Sequence, residues 1–127
     1  MLTLAYVFAG LAALVHVYIF WLEALAFESA GRKAFGVSAQ DAAIMKPWAY
    51  NQGFYNLFLA IGTGVGLAVA GSDRHAAIAL VLFGTGSMVT AALVLITSDP
   101  AKARGAVVQG LFPVIALIAL AIWGLAG

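Results

Sequence analysis

Seven side chains carry almost all the chemistry this chain can do: His16, Glu23, Asn51, Gln52, Tyr55, Asn56 and Gln109. Glu23 is a carboxyl group inside an apolar run, with no basic residue in any apolar run to neutralise it. That makes it a candidate proton carrier or general acid/base. Arg32 or Lys33, folding back from the adjoining loop, is the alternative neutraliser. His16 precedes Glu23 by seven residues, which on a helix is a rotation of only about 20°. The same spacing separates them by about 10 Å along the axis. They face one way but cannot bond directly, and would suit two proton positions on one extended molecule. Asn51 and Tyr55 are four apart, as are Gln52 and Asn56, so these four form a polar stripe. Pro113 removes the helical hydrogen bond to the carbonyl of Gln109, which leaves an acceptor beside that amide.

Other chemistries are poorly supplied. There are no cysteines, hence no disulfide, thiolate ligand or cysteine nucleophile. Ser87 and the threonines lack a nearby base, and the threonines are expected to bond their own backbone. His16 and Glu23 lie too far apart to share one ion, and no Glu-x-x-His pair is present, so no metal is expected. Haem would have only His16 at depth, and Gly62-x-Gly64 follows no strand, so no cofactor is expected either. His75 is expected to be solvated.

These residues must be held by membrane helices. Of 127 residues, 65% are hydrophobic and 9% charged, with a net charge of +1 and a mean hydropathy of +1.07. Soluble domains carry about a quarter charged residues. The composition therefore excludes a soluble enzyme, a basic nucleic-acid binder and a disordered tail. Four stretches, roughly 2–27, 49–70, 75–97 and 106–126, have the length and apolar character of spans. The expectation is an all-α polytopic membrane protein: a single four-helix bundle over residues 1–127, multi-pass in the cell membrane (the inner membrane if bacterial). The first span reads as a retained helix, since no Lys or Arg precedes it. Arg32, Lys33, Lys46, Lys102 and Arg104 fall on one side and only Arg74 on the other. The positive-inside rule then sets both termini outside the cytoplasm and argues against dual insertion.

Local signals mark the boundaries. Ser72 is a cap for the third helix, with Asp73 in its first turn, and Asp99-Pro100 caps and opens the fourth. Ser38 to Asp41 resembles a capping box that starts a short helix through Met45, and Pro47-Trp48 opens the second span. Phe35, Val37, Ile44 and Met45 would then rest on the membrane surface. This arrangement sets Glu23, Asn51, Gln52, Tyr55, Asn56 and Gln109 in one layer, about 0–10 Å below the cytoplasmic boundary. Such a layer is either a polar chamber with His16 at its floor or hydrogen-bonding glue between helices. Gly62 and Gly66, with Gly84 and Gly86, offer small faces for close packing within the bundle.

Several ordered pieces also carry a resemblance: the run from His16 to Glu23, Gly31 to Gly36, Asn51-Gln-Gly-Phe-Tyr55-Asn56, and Gln109-Gly110. The chain resembles the small bacterial and fungal membrane proteins catalogued as domain of unknown function 1304. The resemblance implies four membrane helices and no assigned activity. It also implies that the seven residues singled out above are motif positions. The functional expectation is a bilayer protein that binds or transports a small amphipathic or lipid-like molecule. Two alternatives are a membrane-embedded acid/base enzyme on a lipid-like substrate and a structural subunit of a membrane complex. A homo-oligomer is an open expectation; nucleic acid is not a partner.

Overall fold

The computed structural model describes residues 1–127 and is entirely helical. Helix α1 spans Leu2–Phe20, α2 Arg32–Phe35, α3 Ala39–Ala68, α4 Arg74–Ser98 and α5 Ala103–Ala126. The four long helices form a ring in which α1 packs on α3 and α5, and α4 packs on the same two. The helical segments Leu2–Leu25, Arg74–Ser98 and Pro100–Ala126 are long and apolar enough to cross a membrane. The fourth long helix, α3, has 30 residues, about 45 Å at the standard rise. It is not among those three, because Asp41, Lys46 and the Asn51–Asn56 run dilute its apolar half.

The bundle interior is built from small side chains. Ala5 and Ala9 of α1 meet Ala116 and Ala119 of α5, with Val81 of α4 and Leu120 closing the cluster. Large apolar groups point outward instead: Phe83 is 73% exposed and Leu14 67%. An exterior of that kind suits an apolar solvent, and small interior residues let helix backbones approach closely. A Cβ on Gly66 would meet Ala77, Leu80 and Val81, and one on Gly84 would run into Thr63. Above Gly62 and Gly86, by contrast, there is open space. Only half of the expected glycine faces therefore serve packing within the bundle.

The helix ends correct three expectations. Asp73, not Ser72, caps α4 by accepting from the Ala76 amide at 3.0 Å. Ser72 instead donates back to the Val69 carbonyl, closing the turn after α3. Ser38 does cap a helix, accepting from Asp41 at 3.1 Å, but that helix runs unbroken to Ala68. Pro47 sits inside it rather than opening a new one. The carbonyl it orphans belongs to Ala43, which is exposed, so water or headgroups can satisfy it. Asp99 caps as expected, accepting from Ala101 ahead of a short 3-10 turn from Pro100 to Lys102.

The end of α1 is the largest departure from a simple span. The helix widens into a π-helical turn over Trp21–Leu25, breaks at Ala26, and forms a second wide turn over Phe27–Gly31. The Ala26 and Gly31 amides reach back five residues, to the carbonyls of Trp21 and Ala26. Gly31 is buried there, where a side chain would collide with the Leu22 carbonyl. The bend brings Phe27 against Ala42 and Ala49, with Phe35 and Val37 packed on the same cluster. Phe35 and Val37 thus fold inward, whereas Ile44 and Met45 remain exposed. Lys102 donates to the Phe35 carbonyl at 2.8 Å and ties the two basic connections together at one end of the bundle.

Candidate functional site

Glu23 lies in the middle of the first π-helical turn. A wide turn displaces its side chains from ordinary helical positions and is common at functional sites. Opposite it, α3 carries an inward line of Ala49, Gly53, Asn56, Ala60 and Thr63. Gly53 is the close-approach residue: a Cβ there would stand 2.9 Å from the Ala24 backbone nitrogen and 3.1 Å from the Glu23 Cβ. That proximity, one turn before Asn56, lets the Asn56 amide donate to Glu23 Oε1. The same amide nitrogen donates to the Gln52 carbonyl at 3.2 Å, which fixes its orientation. Phe20 packs edge-on against Phe54 at 5.1 Å, and Phe54 in turn packs on Tyr50 and Phe58. This aromatic row braces α3 on the α1 turn that leads to Glu23.

No cation meets the Glu23 carboxylate. Arg32 is committed to the Glu28 carbonyl, and Lys46 forms an ion pair with Glu28 at 2.9 Å. The expected fold-back of Arg32 or Lys33 onto Glu23 does not occur. Beside the Glu28–Lys46 pair lies a shallow hollow of about 190 Å³, lined by Ala24, Leu25, Phe27 and Ser29 as well as the pair itself. Glu23 is not part of its wall.

His16 is completely buried on the inward face of α1. Its Nδ1 bonds the Ala12 carbonyl at 2.9 Å. A carbonyl only accepts, so Nδ1 carries the proton and Nε2 presents a lone pair. That Nε2 has no partner.

The remaining expected residues separate. Asn51, Gln52 and Tyr55 fall off the inward line of α3 and lie on its outer surface, Tyr55 at 59% exposure. Gln109 is half-buried on α5. Phe112 packs on Phe8 at 5.9 Å, and Ala116 clusters with Ala9. Because α5 runs antiparallel to α1, the Gln109–Pro113 turn lies beside the Ala12–His16 turn. Gln109 is therefore nearer the level of His16 than that of Glu23. The single layer expected from three helices resolves into two levels. At the lower one only Asn56 reaches Glu23; His16 and Gln109 share the deeper one. The residue that sequence reasoning missed is Gly53. Its signal was present in the Asn-Gln-Gly run, but the need for it lies in a crossing that sequence does not specify.

The two levels fall within a single family match. The family described as protein of unknown function (DUF1304) matches residues 10–121. The chain belongs to that family. The matched region contains every residue of both levels, from His16 to Pro113. Neither the curated proteins nor the solved structures contain a match.

Proposed function

We propose that the chain is a four-pass membrane protein in which α3 supplies the additional span, with both termini outside the cytoplasm. Its Glu23–Asn56 pair receives the cationic head of a small amphipathic molecule entering from the cytoplasmic end. The observation that carries this reading is a half-buried carboxylate whose only hydrogen-bond donor is a neutral amide, with no basic side chain in contact. An uncompensated carboxylate in such surroundings is costly and favours a positively charged partner. The basic connections at the same end, tied by Lys102 to Phe35, suit the cytoplasmic side. The π-helical setting of Glu23 fits a side chain held for binding rather than for regular packing.

The test is binding of tetraphenylphosphonium to protein in nanodiscs, with an uncharged amphiphile of similar size as the control. The expected result is saturable binding of the cation alone, weakened at least tenfold by Glu23→Gln while helicity and melting are retained. Equal binding by the wild type and E23Q would overturn the reading and leave the pair as interhelical glue.

A further inference from the structure

The deeper level has two hydrogen-bond acceptors and no donor between them. His16 Nε2 is one: buried, unprotonated and unpartnered. The Gln109 main-chain carbonyl is the other, since Pro113 has no N–H to offer it. Pro113 is itself fully buried, so the side of α5 that lacks this bond faces the bundle interior. The helix register aligns the Gln109–Pro113 turn with the Ala12–His16 turn.

The nearby hydroxyls are already committed. Thr63 donates to the Leu59 carbonyl and Thr85 to the Val81 carbonyl. Tyr6, the other buried side chain without a partner, lies ten residues along α1, about 15 Å away. An acceptor left unpaired in a closed interior costs about 1–3 kcal/mol, and two at one level call for a shared donor.

We infer that His16 Nε2 and the Gln109 carbonyl form a second binding point within the bundle, which takes an O–H or N–H donor. Two sources share that chemistry: a bound water, and the protic group of an amphiphile whose cation sits at Glu23. The second source rests on the function proposed above; the first does not.

The experiment is ¹⁵N NMR of histidine-labelled protein in nanodiscs. The chain has only His16 and His75, so His75→Gln assigns both signals. Spectra are taken without probe and with a long-chain amino alcohol. The expected result is the Nδ1–H tautomer of His16, with its Nε2 resonance displaced as for an accepted hydrogen bond. Displacement without probe, with a cross-peak to water, identifies water; displacement only with probe identifies the amphiphile. Pro113→Ala restores a backbone N–H for the Gln109 carbonyl and should shift the His16 signal back toward that of a free acceptor. A free Nε2 in both samples, a proton on Nε2, or a His16 signal indifferent to Pro113→Ala would each overturn the inference. None of these outcomes depends on whether Glu23→Gln alters cation binding.

Discussion

At the residue scale, the Glu23–Asn56 contact is one hydrogen bond between two helices, and its strength can be bounded. Interhelical bonds in membranes average about 0.6 kcal/mol. Removing one partner also strands the other, which in a closed site costs about 1–3 kcal/mol. Glu23 is only half-buried, so the low end applies. Asn56→Leu is expected to destabilise the protein by about 1 kcal/mol, read from reversible unfolding in mixed micelles. Adding Glu23→Leu should restore part of that loss, because the stranded carboxylate is then gone; strictly additive effects would show that the two side chains are not coupled. The sequence alone marks Glu23 and Asn56 as polar groups inside apolar runs, and their types limit what they can do. It does not separate Asn56, which faces Glu23, from Asn51, which faces away. Both sit on plausible stripes of the same helix, and only the position of α1 decides between them.

At the element scale, the site depends on how closely α3 approaches the widened end of α1. Gly53→Ala would place a Cβ against the Ala24 backbone nitrogen, which cannot rotate aside. Overpacking of this kind costs about 1–3 kcal/mol, and it should also draw Asn56 away from Glu23. Gly62→Ala, two and a half turns further along the same helix, meets nothing. It should be neutral or stabilising by up to about 1 kcal/mol, through helix propensity alone. Thermal melts of both variants measure the difference, and equal melting temperatures would contradict the packing described. Glycine spacing announces small faces on α3 and α4, yet it cannot say which of them a neighbour occupies. Gly66 and Gly84 are occupied; Gly62 and Gly86 are not. The π-helical turns are less legible still. No proline marks them, and Gly31, the residue that permits the fold-back, reads in sequence as an ordinary loop glycine. The unbroken α3 misleads in the opposite direction: Pro47 looks like a helix start, but its orphaned carbonyl is exposed, so the helix continues through it.

At the scale of the whole molecule, the helical class and the pairing of neighbours follow from composition and connection length. Runs this apolar must be helical in a bilayer, and short connections force antiparallel neighbours. The membrane path of α3 is the critical point, because its inward line carries Gly53 and Asn56 while its first turns carry Asp41 and Lys46. If α3 crosses, the α1–α3 and α3–α4 connections lie on opposite faces of the membrane. The absence of cysteine makes this directly measurable with single substitutions at exposed positions. In right-side-out vesicles, a membrane-impermeant maleimide should label Ser72→Cys and Gly127→Cys at once. Ala34→Cys and Ala101→Cys should react only after permeabilisation. Labelling of Ser72→Cys and Ala34→Cys from the same side would mean that α3 lies along the surface. Asn56 would then bring Glu23 to the membrane boundary, where water can solvate the carboxylate, and the reason for a cationic partner would vanish. The pattern expected for a crossing α3 keeps that carboxylate between helices, where one amide is its only donor and a positive charge is the missing complement.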